Sequence, residues 1–236
     1  MSVYREILSA ECAKVGIELN DEAISRFEIY AEYLVEYNKN VNLTAIVEPC
    51  DIAHKHFVDC LLFFKAVDLP QGASVIDVGT GAGFPGVVLK IARPDIKLTL
   101  MDSLNKRLVF LKSLMEKLGL EAEIIHSRAE DGAKPPLREA FDFATARAVA
   151  ALPTLSEYCL AYVKKGGSFV ALKGAMAKEE IAAAKKAIQI LGGDKPRLVE
   201  LETEALGNRG IVVVKKVSPT PPKYPRPSAK IAKQPL

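Results

Sequence analysis

Short apolar runs alternating with stretches of helical periodicity organise this chain from residue 73 onward, whereas the first 70 or so residues carry helical periodicity alone. Asn20-Asp21-Glu22 is a capping sequence ahead of Ile24, Phe27, Tyr30 and Leu34, whose spacing predicts an amphipathic helix. The turn-rich run Tyr37-Asn38-Lys39-Asn40-Val41-Asn42 ends it. A second helix is expected over 54–67, closed by Leu69-Pro70-Gln71-Gly72. Strands are then predicted over 74–78, 98–101, 122–126, 141–146 and 168–172. Helices are predicted over 86–92, 106–118, 152–163 and 178–191, with Pro85 suited to the first position of the first. Two last apolar runs, 197–201 and 210–217, are joined through 204–209, too short for a crossover helix, so this pair is expected to be antiparallel. The alternation predicts an α/β, Rossmann-like, doubly wound and mostly parallel seven-stranded sheet with its last strand antiparallel. Three regions are expected: a helical extension over 1–70, the sheet domain over 71–217, and a Pro-rich arm over 218–236. Five prolines from Pro219 to Pro227 make that arm an extended one.

At 236 residues, 49% hydrophobic and 26% charged, the chain has the composition of a soluble globular protein with one large core. No apolar run reaches the roughly 18–20 residues of a membrane span, and Met1-Ser2-Val3-Tyr4-Arg5-Glu6 lacks the layout of a signal peptide. Cys12, Cys50, Cys60 and Cys159 have no Cys-x-x-Cys spacing and read as reduced, mostly buried residues of a cytoplasmic protein. Charge changes this picture. The net charge is +3, yet after Glu204 there is no acidic residue, while Arg209, Lys215, Lys216, Lys223, Arg226, Lys230 and Lys233 contribute +7. A basic end on a slightly acidic body points to a polyanionic partner.

Candidate chemistry begins in the loop after the first strand. Gly81-Ala82-Gly83-Phe84-Pro85-Gly86 satisfies the dinucleotide fingerprint, while Asp77-Val78-Gly79-Thr80-Gly81-Ala82-Gly83 satisfies the pattern of S-adenosylmethionine (SAM) sites. Glycines there let backbone approach a ligand, and alone they do not choose it. Register favours SAM, because the strand ends at Val78 and Gly79 takes the first turn position. Asp102 ends the second strand, where a carboxylate accepts ribose hydroxyls in either cofactor class. Glu130, just after the third strand, suits an adenine edge and tips the reading to SAM; as a bland alternative it caps a helix.

The segment after the fourth strand, Thr145-Ala146-Arg147-Ala148-Val149-Ala150, lacks the Pro-Pro-aromatic signature of exocyclic-amine methylation. Cys50 and Cys159 are misplaced for a cytosine C5 nucleophile. A ring nitrogen with a lone pair, such as guanine N7, loses no proton on methylation and needs no base. That is compatible with this sequence. His54 and His56, two apart on a helix, point to different sides and find no ligand cluster, so no metal site is expected. His56 and Asp59 share a face and could serve packing, the cofactor mouth or RNA. Lys173 could reach a phosphate or be solvated.

Taken together, the motifs resemble the RsmG/GidB family of bacterial 16S rRNA guanine-N7 methyltransferases. The matching segments are Asn42-Leu43-Thr44-Ala45, His56-Phe57-Val58-Asp59, the loop from Asp77 to Gly86, Asp102-Ser103-Leu104-Asn105-Lys106-Arg107, Ser127-Arg128-Ala129-Glu130, Ala146-Arg147-Ala148-Val149-Ala150, Leu172-Lys173-Gly174 and Lys223-Tyr224-Pro225-Arg226. The resemblance implies a class I SAM-dependent methyltransferase with Gly79, Gly81 and Phe84 at the methionine end. It places Asp102 on the ribose, Ser103 and Leu104 beside the adenosine, Ala129 and Glu130 on the adenine, and Arg147 completing the pocket. RNA contacts are expected from Arg147, Lys173, Lys223 and Arg226, with small-subunit rRNA or a ribosomal particle as partner and a monomer as working form. The tail lacks the glycine that the family often has after Lys-Tyr-Pro-Arg. A SAM enzyme of small molecules and a non-catalytic SAM- or dinucleotide-binding regulator are the alternatives.

Overall fold

Val75 and Ile76, adjacent on the first strand, are both fully buried in separate apolar clusters, which places covering layers on both faces of the sheet. The computed structural model describes residues 2–236. Its strands are β1 (Ser74–Val78), β2 (Lys97–Asp102), β3 (Glu123–His126), β4 (Phe141–Arg147), β5 (Val163–Lys173), β6 (Arg197–Thr203) and β7 (Gly207–Lys215). They form one sheet in the order β3-β2-β1-β4-β5-β7-β6. Pairings from β3 through β5 are parallel, and β7 runs antiparallel to both β5 and β6. This is the class I methyltransferase architecture that the sequence implies. The strand order reverses between β1 and β4, which opens a crevice at their carboxyl ends.

One face is covered by α1 (Val3–Lys14), α2 (Asp21–Asn38), a composite helix, α5 (Gly86–Ala92) and α6 (Asn105–Leu118). The composite consists of α3 (Pro49–Asp51), a π-helical run (Ile52–Val58), α4 (Asp59–Leu61) and a 3₁₀ turn (Leu62–Lys65). Asn20 caps α2 as expected, its side chain accepting the Ala23 amide at 2.8 Å. Phe27 and Phe57 are fully buried here, each burial contributing about 1.5–3 kcal/mol relative to exposure. The helical extension therefore shares its core with Val75 and Leu100 of the sheet. After the short α7 (Ala129–Gly132), the other face is covered by α8 (Leu152–Leu160) and α9 (Ala177–Ile190).

Four local expectations change. Pro85 precedes α5 rather than opening it. The helix expected over 54–67 starts at Pro49 and changes hydrogen-bond pattern three times. The helix expected to reach residue 163 stops at Leu160, and Val163 instead opens an eleven-residue β5. The charged and glycine-rich run Lys164-Lys165-Gly166-Gly167 hides that strand in the sequence, and pairing supplies what the pattern lacks, with Val163 opposite Phe141 and the Gly166 amide donating to Lys216 O at 2.8 Å. Finally, the arm is not simply extended. Ile231, fully buried, seats the short α10 (Ser228–Lys233) on the body, and the Lys216 ammonium is buried against Leu160 O and Thr220 Oγ1.

Candidate active site

The glycine loop is fixed from beneath by a buried carboxylate. Asp77 is fully buried, and its Oδ2 accepts from Thr80 Oγ1 at 2.7 Å and from the Gly86 amide at 2.8 Å, tying the loop's entry to the start of α5. Burial pushes this carboxyl up to about 6, against the pull of the Thr80 and Gly86 bonds. The Gly79 and Thr80 amides donate to Met101 O at 2.8 and 3.0 Å, which sets the loop over the end of β2. A Cβ on Gly83 would stand 2.7 Å from Val87 Cγ2, and one on Gly86 2.8 Å from Asp77 Oδ2, so these two glycines serve close packing. Gly81 instead has open space on its Cβ side.

Asp102, 2% exposed, holds the next shell together. Its Oδ2 accepts the Gly81 amide at 2.9 Å and Arg107 Nη1 at 3.2 Å, while Oδ1 accepts the Leu104 amide at 2.9 Å. Around it lies a cleft of about 390 Å³. Of the residues expected at the cofactor, Gly79, Asp102, Ser103, Ala129 and Glu130 line that cleft. Gly81 borders it through its bond to Asp102, as Leu104 does through its amide, and Leu104 itself is 43% exposed and outside the lining. Glu130 makes no helix-capping bond; α7 has none from a side chain at its start. Arg107, Thr154 and Tyr158 also line the cleft and were not anticipated. Thr154 and Tyr158 lie four apart on α8, a spacing that puts two polar groups on one helix face.

The cleft fits SAM by its donor set. It offers carboxylates to hydroxyls and amines, a glycine backbone, and the Arg107 Nε, which is buried without a partner. Its volume lies in the range of small-molecule sites.

Phe84 and Arg147 are placed differently from the other cofactor candidates. Phe84 is 6% exposed and lies between Tyr30 and His56, with centroids 5.3 and 4.3 Å away. The Arg147 guanidinium lies 4.9 Å from the same ring. Arg147 belongs to a second cavity of about 530 Å³, walled by Lys55, His56, Asp59, Lys173, Glu180 and Arg209 among others. Ala148 lines both cavities and has a φ of +55°, a left-handed conformation uncommon outside glycine.

Arg147 ties this second cavity to the helical extension. It donates to Lys55 O at 2.8 Å, to Asp59 Oδ2 at 3.0 Å and to His56 Nδ1 at 3.0 Å. A guanidinium only donates, so His56 Nδ1 is the acceptor, which places the ring proton on Nε2 facing Thr44 Oγ1 at 3.0 Å. Burial, then the Arg147 charge, lowers His56 to about 4 and keeps the ring neutral. Thr44 is fixed in turn by Asn38, whose Oδ1 accepts the Leu43 and Thr44 amides at 2.7 and 3.0 Å. The π-helical run carries His56 and leads directly into Asp59, and such local widening recurs at functional sites. Asp59 also accepts from Arg209 Nε at 2.7 Å. Arg209 was counted in the basic end of the sequence, but only the fold brings it here.

The residues expected to meet RNA do not gather in one place. Arg147 and Lys173 wall the second cavity. The Lys173 ammonium is committed to Ala150 O at 2.7 Å and Glu180 Oε2 at 2.8 Å. Arg226 pairs with Glu157 at 2.7 Å, that carboxylate being 1% exposed, and lines neither cavity. Lys223 is exposed, its ammonium 5.3 Å from the Tyr224 ring centroid. Among the described residues no His, Cys, Asp and Glu group could hold a metal ion, and no helix is long and apolar enough to cross a membrane. Cys12, Cys60 and Cys159 are buried and Cys50 exposed, all of them free.

Residues 23–211 match the GidB family model, described as rRNA small subunit methyltransferase G. The chain is 47% identical over 236 residues to ribosomal RNA small subunit methyltransferase G of Clostridium perfringens (strain 13 / Type A), covering 99% of each. It is also 47% identical over 232 residues to the protein of that name from Desulforamulus reducens, covering 97% of each. Among solved structures it is similar to a methyltransferase from Pyrococcus furiosus, with a TM-score of 0.57 and 14% identity over 82% of this chain and 99% of that one. A SAM dependent methyltransferase from Aquifex aeolicus gives 0.51 and 21% over 71% and 93%. These two likenesses establish the fold. The match across residues 23–211, with near-full-length relatives at 47% identity, shows that the chain belongs to the GidB family of small-subunit rRNA methyltransferases and is a SAM-dependent enzyme.

Proposed function

We propose that this chain transfers a methyl group from SAM to N7 of one guanine in small-subunit (16S) rRNA. The cofactor occupies the cleft around Asp102 and the base enters the adjoining cavity beside Arg147. When bound, SAM supplies an electrophilic methyl group on a sulfonium, open to in-line attack by a lone pair held at close range.

One observation carries the choice of N7: each ionisable side chain on the acceptor cavity wall is already committed. His56 is held between Arg147 and Thr44, Asp59 takes two arginines, and Glu180 takes Lys173 and the Leu152 amide. Lys55 pairs with Asp51. A wall without a free base suits an acceptor that gives up no proton. The guanine N7 lone pair would take the methyl group as its bond to the sulfonium sulfur broke, the positive charge passing to the base with no proton to remove. Lys55, Arg147, Lys173 and Arg209 outnumber Asp59 and Glu180, a balance that favours an anionic substrate over a neutral small molecule.

Within this reading Gly79 and Gly81 hold the methionine end, Asp102 the ribose, Ser103 and Leu104 the adenosine, and Ala129 and Glu130 the adenine. Arg147 orients the acceptor, with Phe84 supporting it from behind. Lys223 in the arm contributes salt-dependent contact with RNA. The chain is read as a monomer that works in the cytoplasm on its ribosomal substrate.

The test supplies radiolabelled SAM with naked rRNA, ribosomal particles and small-molecule extracts, then cleaves labelled RNA with borohydride and aniline. Strand cleavage at a single guanine is expected. Labelled RNA that resists cleavage would exclude N7, and label confined to a small molecule would exclude the rRNA reading.

A further inference from the structure

The wall between the two cavities is a short segment with little support of its own. Ala148 takes its left-handed turn directly after β4, and Val149 lies over Gly79, its Cγ2 standing 2.8 Å from where a Gly79 Cβ would be. Among the described residues, outside the sheet ladder and the helices, no backbone–backbone bond involves Ala148, Val149 or Ala150. What holds the segment is a pair of side chains from the other side of the second cavity. Lys173, at the end of β5, donates to Ala150 O at 2.7 Å and to Glu180 Oε2 at 2.8 Å. Glu180, in the first turn of α9, accepts the Leu152 amide on that same oxygen at 2.7 Å. Leu152 is the first residue of α8, so a carboxylate from α9 occupies the positive end of α8.

We propose that Lys173 and Glu180 are a positioning pair that clamps the segment from Ala148 to Leu152 at its middle, Ala150, and at its far end, Leu152, fixing the distance between cofactor cleft and acceptor cavity. The pair acts through the wall rather than on substrate, and the proposal rests on the assignment of the two cavities given above. The Lys173 side chain is only 9% exposed and has two internal partners. An ammonium kept for a phosphate would face solvent, whereas burying a charge this far is tolerated only with such pairing. A wall that loosens by an ångström changes the approach of the two reactants, to which transfer rates are steeply sensitive.

The test uses the full chain, with whichever of naked small-subunit rRNA or small ribosomal subunits the unaltered enzyme labels. Lys173→Met and Glu180→Ala are each expected to lower kcat about 10- to 100-fold, with SAM affinity by calorimetry, KM for the RNA and its salt dependence near those of the parent. The double variant should be no slower than the slower single one, because both remove the same clamp. Glu180→Gln, which keeps an oxygen for the Leu152 amide, gives the same comparison if the alanine variant does not fold. Parental kcat with only a lowered melting temperature would overturn the proposal. So would a raised KM and flatter salt dependence in Lys173→Met beside a parental Glu180 variant, since that pattern marks a phosphate contact. Failure of the unaltered chain to label any RNA would instead remove the rRNA reading, and this proposal with it.

Discussion

Arg147 Nη1 donates to Asp59 Oδ2 at 3.0 Å, joining residues 88 positions apart and fastening the helical extension to the end of β4. Asp59 keeps a second partner in Arg209 Nε at 2.7 Å. Arg147→Ala should therefore fold, while turnover falls by about 100-fold or more as the acceptor wall loses its fixed donor. Arg147→Lys should rescue little, because an ammonium cannot reproduce a planar fork serving Lys55 O, Asp59 and His56 at once. Single-turnover kinetics alongside circular dichroism check this; parental rates in the alanine variant would remove Arg147 from the site.

His56 and Asp77 are expected to give stability opposite dependences on pH. His56 titrates near 4 in the folded chain, below the ordinary imidazole value of about 6.5. Its contribution is present above that ordinary value and lost as pH falls toward 4. Asp77 titrates near 6 when folded, above the ordinary carboxylate value of about 3.9. Its contribution is present below the ordinary value and lost as pH rises through 6. In His56→Asn the Asp77 dependence is no longer opposed by that of His56 between pH 4 and 6. The melting temperature of that variant, relative to the parent, should fall less on acidification, and parallel pH profiles would count against the assignment.

Asp102→Asn should weaken SAM binding by about 10- to 100-fold, the loss of a charge-assisted hydrogen bond of about 1.5–3 kcal/mol. The amide still accepts at one oxygen, so calorimetric titration should find a folded chain with lowered affinity.

Gly83→Ala should destabilise the chain more than Gly81→Ala. The added methyl at 83 meets Val87 Cγ2 at 2.7 Å and Tyr30 Oη at 2.8 Å, with φ at +104°, while at 81 it meets open space with φ at +61°. The second substitution carries only the left-handed penalty, about 1–2 kcal/mol. Chemical denaturation ranks the two.

Within the arm, Arg226→Ala and Lys223→Ala should separate stability from RNA contact. Removing Arg226 leaves Glu157 buried without its counter-charge, which costs about 3–5 kcal/mol. Removing the exposed Lys223 should leave stability unchanged and reduce the salt dependence of RNA binding, with a slope smaller by roughly one contact. Equal behaviour of the two variants in both assays would refute this division.

The sheet, its parallel run and its antiparallel close were legible from the chain alone, because alternating short apolar runs and helical periods are local signals. Asp102 and Glu130 were legible from their places at and just after strand ends, while Gly79, Ser103 and Ala129 were implied by the family resemblance; all five line one cleft because the strand ends meet at the same edge. Tertiary structure decided which partners the charged residues take. Lys173 read as a group for phosphate or solvent, yet it closes on Glu180 and Ala150. Arg226 read as part of a basic arm, yet it is spent on Glu157. Phe84 and Arg147 read as residues of the cofactor pocket, Arg147 of RNA contact as well, and it is packing that sets both against His56 of the helical extension. Secondary structure follows from neighbours a few residues apart, whereas an ion pair needs two distant segments brought within about 4 Å, and only the packed fold sets that distance.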